Sequence, residues 1–186
     1  MVSIGSLWLP ILLSAVFVFV ASSLIHMVLK YHASDYGQLP NEEAVRAAFR
    51  GSNPGPRQYL IPYGAGMEEM KNPAYLAKLT EGPVGFITLR PNGVFGMGKT
   101  FMQWFVFTLV VSVLVAFMSG GVLPVGAGWK IVFHTVGLTA FLAYAGASVP
   151  GAIWMGKPWS IAAKEVLDGL IYGLGTAAIF SLLWPN

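Results

Sequence analysis

The sequence predicts an all-α membrane protein with four transmembrane helices and a partly helical loop between the first and the second. Of its 186 residues, 55% are hydrophobic and only 10% are charged, whereas soluble domains carry roughly 25% charged residues. Four windows are also long and apolar enough to cross a hydrocarbon core of about 30 Å at about 1.5 Å per helical residue. Lipid rather than water is therefore the expected surrounding.

The predicted spans cover residues 7–29, 101–123, 131–153 and 166–184. No Lys or Arg precedes the first window, and its apolar stretch is longer than that of a signal peptide, so we expect it to be retained as a span. Six tryptophans lie near the window ends, the depth at which an indole ring is half buried and its N–H stays wet. We interpret residues 1–186 as a single membrane domain with a structured loop over 30–100.

The basic residues predict which way the spans run. Eight of the 11 Lys and Arg residues fall in the loop, and Lys157 and Lys164 follow the third window, which leaves only Lys130 on the opposite side. Because Lys and Arg favour cytoplasmic segments, the loop should be cytoplasmic and both termini should face away from it. Lys30 and Lys99 flank the first two spans and are expected to contact lipid headgroups.

Small residues at a spacing of four mark packing faces on the last two spans. The fourth span carries Gly169, Gly173 and Ala177, and the third carries Ala143, Ala147 and Gly151. Such stripes let helices approach closely in lipid. The two faces are expected to pack on each other inside one four-helix bundle, and the alternative is that one of them docks a partner subunit.

The loop has signals of regular structure. Asn41 is a candidate N-cap for a helix that Gly51 ends, and Asn72-Pro73 opens a second helix that ends before Gly82. Apolar residues 86–89 and 94–95 flank a turn at residues 90–93, which predicts a small hairpin.

Residues 93–100, Gly-Val-Phe-Gly-Met-Gly-Lys-Thr, match the phosphate-binding loop pattern. The context opposes nucleotide binding, because the helix that follows is the second span itself and no apolar strand ending in Asp exists. We interpret the glycines as a tight turn into the membrane, and no nucleotide is expected as a partner.

The three histidines do not predict a bis-histidine haem. His26 and His134 lie near opposite membrane faces, about 20 Å apart in depth, and cannot share one iron. His134 alone is a candidate axial ligand for a haem or pigment, or a hydrogen-bond partner of a quinone. His26 and His32, with Asp35, form the nearest enzyme-like set and are candidates for a metal or for lipid-headgroup chemistry, although interfacial hydrogen bonding is the plainer interpretation.

Asp168 is an ionisable group inside a predicted span, which is a functional hypothesis by default. Ser160 is expected to cap this helix, and Lys164, four residues before Asp168, is expected to pair with it at the interface. A proton or cation relay would need further buried acids, and the other three spans contain none.

Other chemistries are excluded by composition. The chain has no cysteine, which removes disulfides, iron–sulfur clusters and thiolate catalysis. The bases lie beside apolar runs rather than in a stripe with interleaved aromatics, so nucleic acid is not an expected partner. We see no pair of carboxylates, no Ser/His/Asp order and no metal-ligand cluster on one side of the membrane, and the sequence requires no cofactor.

A resemblance is carried by six stretches: Gly82–Phe86, Pro91–Gly93, Met97–Lys99, Gly156–Ser160, Lys164–Tyr172 and His32–Tyr36. Together they resemble a family of small bacterial four-helix membrane proteins that has no known activity. The resemblance implies a bacterial inner-membrane location and no activity. In such a membrane, the orientation predicted from the basic residues puts both termini in the periplasm.

The favoured hypothesis is a non-catalytic accessory or scaffold subunit that packs within a larger membrane complex, with membrane lipids and other membrane subunits as partners. One alternative is a small transporter or channel for a neutral or lipidic solute, lined by Thr135, Thr139, Tyr144 and Ser148. The other alternative is an enzyme that acts on a membrane lipid at the cytoplasmic face.

Overall fold

A computed structural model describes residues 1–94 and 96–186 of the chain and divides them into two compact units. The membrane unit consists of Met1–Tyr36, Gly96–Ala152 and Lys157–Asn186. The loop unit consists of the described part of Gly37–Phe95 together with Ile153–Gly156. The interpretation of residues 1–186 as a single membrane domain with a structured loop stays a prediction.

Four helical segments are long and apolar enough to span a membrane, which confirms the predicted fold class of an all-α membrane protein. They are Ile4–Val28, Met97–Val122, Trp129–Met155 and Trp159–Leu182. The fourth begins seven residues earlier than predicted, since the helix starts directly after Pro158. Pro158 is its N-cap and no side chain caps it, so the predicted Ser160 cap is wrong.

In chain order the helices are α1 (Trp8–Ser23), α2 (Glu42–Ser52), α3 (Met67–Met70), α4 (Pro73–Glu81), α5 (Met97–Val122), α6 (Trp129–Ala145), α7 (Ser148–Met155) and α8 (Trp159–Leu182). A 3-10 turn over Ile4–Leu7 precedes α1, and a π-helical turn over Leu24–Val28 follows it. The first span therefore changes its helical geometry just before it meets the loop.

Helices α6 and α8 pack closely because glycine leaves room for backbone. A Cβ on Gly169 would lie 2.7 Å from the Cβ of Ala145, and one on Gly173 would lie 3.1 Å from the carbonyl oxygen of Gly137. The predicted stripe on α8 is therefore a packing face, with Ala177 fully buried in it.

The opposing face on the third span is not the predicted one. Ala143 and Ala147 are exposed, and Gly151 lies against the side chain of Lys157. The residues that meet α8 are Gly137, Phe141 and Ala145, which share the spacing of four but lie on another side of the helix. Glycine and alanine occur at this spacing on both sides of α6, so spacing alone could not select between them.

One end of the membrane unit, which we call the terminal end, contains both chain termini. Val2 N–H donates to the Gly120 carbonyl at 2.8 Å, and Gly126 N–H donates to the Pro185 carbonyl at 2.8 Å. Trp184 is buried and its Nε1 donates to the Pro124 carbonyl at 3.0 Å. Trp184 thus packs inside the bundle, whereas the sequence predicted a half-buried ring with a wet N–H at the window end.

The loop unit contains α2, α3, α4 and a two-stranded antiparallel sheet. Strand β1 (Gln58–Ile61) pairs with β2 (Gly85–Thr88), with Gln58 opposite Thr88 and Ile61 opposite Gly85. The predicted local hairpin is therefore wrong, because β2 pairs with the earlier strand; Phe95, which belonged to that prediction, lies outside the described residues.

The predicted caps of the loop helices have mixed outcomes. The Asn72 side chain accepts a hydrogen bond from Ala74 N–H at 2.9 Å, and Gly82 ends α4 with φ of 69°, as predicted. Asn41 does precede α2 but makes no capping bond, and the helix continues through Gly51 to Ser52.

Candidate functional site

A turn at Lys30 places residues 31–35 against the fourth span. Lys30 has φ of 57°, in the left-handed region, and ends the first helical segment. The next residues, Tyr31–Asp35, form a 3-10 helix that contacts α8. The side chains of Tyr31, His32 and Asp35 are thereby held against Lys164 and Asp168.

Asp168 is the central acid of this site. Its side chain is only 6% exposed. The Tyr31 hydroxyl donates to Oδ1, and Oδ2 lies 2.8 Å from Nε2 of His32. A carboxylate inside a membrane helix is expensive unless it is paired, and here two side chains from beyond the first span satisfy it.

Asp35 holds the other side of the His32 ring. Its Oδ2 lies 2.6 Å from His32 Nδ1, and its Oδ1 lies 2.5 Å from Lys164 Nζ. The hydrogen bond from Lys164, reinforced by the one from His32, holds the pKa of Asp35 below its usual 3.8. His32 therefore bridges two carboxylates.

These contacts correct two predictions. Lys164 pairs with Asp35 rather than with Asp168, and its Nζ also donates to the Tyr31 carbonyl at 2.7 Å. Two carboxylates and two histidines meet at one end of the bundle, so the expectation that no carboxylate pair or metal-ligand cluster exists on one side is wrong.

His26 completes the cluster from within the π-helical turn. Its Nδ1 lies 3.0 Å from the Ser22 carbonyl oxygen, and its Nε2 lies 3.9 Å from Oδ2 of Asp168. Its ring stacks on that of His32, with centroids 4.4 Å apart and planes 5° apart. The side chain is 51% exposed, so it is the accessible member of the cluster.

A cavity of about 560 Å³ lies beside the cluster, among the ends of the spans. Its polar wall includes His26, Asp168 and Glu165. Its remaining lining is mostly apolar and aromatic: Met27, Met97, Phe101, Trp104, Tyr144 and Tyr172, with Ser22, Ser23, Thr100 and Ser148. We call this space the loop-end cavity, because it lies where the π-helical turn ends and α5 and α8 begin.

Two tyrosines of the cavity wall keep unsatisfied hydroxyls. Tyr144 and Tyr172 pack edge to face with centroids 5.5 Å apart. Neither hydroxyl has a hydrogen-bond partner among the described residues. Buried polar groups are rarely left without a partner, but both oxygens are enclosed by the protein, so a molecule in the cavity would reach them only after the rings move.

The other predicted contact residues lie elsewhere. His134 is exposed and lines a separate cavity of about 370 Å³ with Phe133, Gly137, Leu138, Phe141, Leu170 and Leu174. His26 and His134 thus line different cavities, and a haem, pigment or quinone at His134 stays a prediction. Lys30 and Lys99 are exposed, and their contact with headgroups stays a prediction too.

Part of this site was visible in the sequence. The His32-x-x-Asp35 pair and the Lys164-x-x-x-Asp168 pair each carry a spacing that puts both members on one helical face. What the sequence lacked was a signal that joins the two pairs, which lie about 130 positions apart along the chain.

Comparison with known proteins found no protein-family model, no curated protein and no solved structure that matches this chain.

Proposed function

We propose that the protein is an enzyme that acts on the headgroup of a membrane lipid at the loop end of the bundle. The observation that carries this proposal is the position of the His26, His32 and Asp168 cluster in the wall of an apolar cavity between the spans. Of the three hypotheses from the sequence, the lipid enzyme is the one that uses both the cluster and the cavity.

The cavity suits an amphiphilic substrate. Its volume of about 560 Å³ lies within the roughly 300–1,000 Å³ of ligand sites. Phe101 and Trp104, with the rings of Tyr144 and Tyr172, offer apolar walls for the first part of an acyl chain. A lipid that enters sideways from the bilayer would place its headgroup beside His26.

The cluster suits proton transfer at that headgroup. A carbonyl oxygen only accepts hydrogen bonds, so the Ser22 carbonyl fixes the proton of a neutral His26 on Nδ1 and leaves a lone pair on Nε2. Histidine exchanges protons near neutral pH, which is the property a general base needs. The half-exposed His26 is the proposed base, and Asp168 and His32 form the charged wall behind it.

We infer that the protein lies in a bacterial inner membrane, with the loop in the cytoplasm and both termini in the periplasm. This orientation is supported by ten of the 11 Lys and Arg residues, which lie in the loop or between the third and fourth spans. The loop-end cavity would then open toward the cytoplasmic leaflet. Reporter fusions after Gly66 and at the carboxyl end should report opposite compartments, and the same compartment for both would contradict the orientation.

Occupancy of the cavity is tested by photo-crosslinking in proteoliposomes that contain a photoactivatable phosphatidylethanolamine. Thr100→Trp fills the cavity from α5, whereas Met102→Trp, two residues along the same helix, adds the same ring to an exposed position outside the lining. We expect crosslinking to fall in the first variant and to persist in the second. Equal labelling of wild type and both variants would overturn the proposal.

Turnover is tested on the same wild-type preparation by mass spectrometry of phosphatidylethanolamine and phosphatidylglycerol over time. His26→Gln should slow the appearance of the product by about 100-fold, the lower range of a lost general base. His134→Gln is the matched control, because His134 is exposed and lies outside the loop-end cavity. Lipids that stay unchanged with wild-type protein would leave the accessory-subunit hypothesis as the better one.

A further inference from the structure

Three side chains at the loop end place one ligand atom each around a common point. His26 Nε2, His32 Nε2 and an Asp168 carboxylate oxygen lie within 4.8 Å of one another. Two donors that lie about 2.1 Å from one tetrahedral metal ion are about 3.4 Å apart. Donors separated by as much as 4.8 Å would therefore have to approach each other by roughly 1.4 Å. The half-exposed His26 side chain has room for that movement.

Both imidazoles are held through Nδ1, with Nε2 close to Asp168. His32 Nδ1 is bonded to Asp35, and His26 Nδ1 is bonded to the Ser22 carbonyl. Each acceptor keeps the ring proton on Nδ1 and leaves Nε2 as the donor atom. Such a bond from the second nitrogen to a carboxylate or carbonyl is the usual support of a metal-bound histidine.

The carboxylate is supported in the same way. The Tyr31 hydroxyl occupies Oδ1 of Asp168 and leaves Oδ2 facing the two histidines. Lys164 in turn fixes Asp35. Every proposed ligand therefore has one polar atom bonded to the protein and the other near the same point. Because the His26 and His32 rings are parallel, the half-exposed His26 ring must turn for both Nε2 atoms to face one ion.

The backbone of the first span contributes to this arrangement. Leu29 N–H donates to the carbonyl of Leu24, five residues back, at 3.0 Å. This π-helical turn contains His26. Single π turns inside α-helices occur frequently at functional sites, and an apolar span has no need of one for crossing the membrane.

We propose that His26 Nε2, His32 Nε2 and Asp168 Oδ2 bind one divalent transition-metal ion. Two imidazoles and one carboxylate favour zinc or iron(II) over magnesium or calcium, which prefer oxygen ligands. Three protein ligands leave coordination positions open, and His26 and Asp168 both line the loop-end cavity. Binding replaces the proton that His32 and Asp168 share at 2.8 Å.

The metal proposal does not depend on the lipid proposal. Only the role of the bound ion toward a lipid headgroup rests on the proposed function. There, an open coordination position would take an oxygen of an anionic headgroup, whose charge the bound cation offsets. With the ion bound, His26 Nε2 is a ligand and no longer the base, so within the proposed function the site replaces that role with a cofactor class and a preference for phosphate-bearing headgroups.

The test uses the full-length protein in mild detergent after treatment with a chelator. Co²⁺ is titrated and followed by its visible absorption, and Zn²⁺ is measured by elemental analysis after gel filtration. We expect one ion per chain. His26→Gln and Asp168→Asn should each weaken Co²⁺ binding at least 100-fold, and His134→Gln should bind as wild type does.

Asp35→Asn tests the positioning of His32 separately from ligation. It should weaken Co²⁺ binding by about 10-fold to 100-fold, as losses of such supporting partners do, while the ion-to-protein ratio at saturation stays at one. A pure structural role for Asp35 would change thermal stability and leave Co²⁺ affinity unchanged.

Wild-type protein that binds neither Co²⁺ nor Zn²⁺ would overturn the metal proposal, and this outcome does not depend on any variant folding. Equal loss in His26→Gln and His134→Gln would also overturn it. Lipid crosslinking is measured independently of metal binding. Metal binding without crosslinking would reject the lipid enzyme and keep the metal site. Crosslinking without metal binding would reject the metal site and keep the lipid proposal.

Discussion

The two ends of the membrane unit are built in opposite ways. At the terminal end, the apolar side chains Val2, Leu7, Leu123 and Trp184 are buried together with the uncharged Ser119, and backbone carbonyls accept the bonds that join the segments. At the loop end, Asp168 is buried, His32 is nearly so, and charged side chains make the contacts between segments.

This difference supports the proposed function of the loop end. Apolar packing and hydrogen bonds to backbone carbonyls join the segments at the terminal end. Paired charges inside a membrane protein add little net stability over apolar packing and are costly when one partner is lost. The polar construction of the loop end thus supports the proposal that the His26, His32 and Asp168 cluster binds a ligand or acts on one.

The largest loss of unfolding free energy is expected from a substitution at the loop end. Asp168→Ala removes the acceptor of His32 and of the Tyr31 hydroxyl, and loss of one partner of a buried pair costs about 3–5 kcal/mol. We expect about 3 kcal/mol in the unfolding free energy, measured by denaturant titration in mild detergent. Asp168→Asn keeps an acceptor and should lose less. A variant Asp168→Ala that is as stable as wild type would contradict the paired interior.

Acid should weaken the loop end and leave the terminal end unchanged. The pKa of Asp35 is lowered by Lys164 and His32, so its ionised form contributes stability in full above its usual 3.8. That contribution is lost as the pH falls through the lowered native pKa. In chelator-treated protein, the Tm of wild type should therefore fall more steeply below pH 3.8 than the Tm of Asp35→Asn. Parallel curves would contradict this.

A smaller effect is expected from the terminal end. Trp184→Phe removes the hydrogen bond from Nε1 to the Pro124 carbonyl while it keeps an aromatic ring. The expected loss is about 1 kcal/mol, the usual net value of one such bond, and it should not vary with pH in the acid range. Trp129→Phe is the matched control because Trp129 is exposed. A loss of stability that changes with pH in the way the contribution of Asp35 does would contradict the distinction between the two ends.

The smallest effect tests whether charge at the loop end matters by itself. Lys157 Nζ lies 2.7 Å from Glu165 Oε2, and both side chains are about one-third exposed, at 33% and 34%. Exposed pairs contribute little, so Lys157→Met should cost about 0.5 kcal/mol or less, and salt should reduce that cost further. A cost close to that of Asp168→Ala would show that this pair belongs to the buried network.

The spans and the packing face of α8 were predictable because both depend on local composition. Apolar length indicates a membrane helix, and Gly169, Gly173 and Ala177 share one face of any helix on which they lie. The cap of α4 at Asn72 was predictable for the same reason, since its bond reaches only two residues along the chain.

The candidate site was not predictable as a whole, because two non-local features assemble it. The left-handed residue Lys30 reverses the chain so that Tyr31–Asp35 meets α8. Helical spacing had suggested Lys164 as the partner of Asp168, and this reversal supplies Asp35 to Lys164 instead. The partner of β2 was missed for a similar reason, since β1 lies beyond α3 and α4 along the chain.

The π-helical turn over Leu24–Val28 has an evolutionary consequence. A π turn corresponds to one residue inserted into an α-helix, and each helical residue turns the chain by about 100°. A related chain that is one residue shorter between Ser22 and Lys30 would turn its histidine away from Asp168 even if every side chain were kept. Among relatives, a one-residue gap in this apolar segment would therefore indicate chains that lack the His26, His32 and Asp168 cluster.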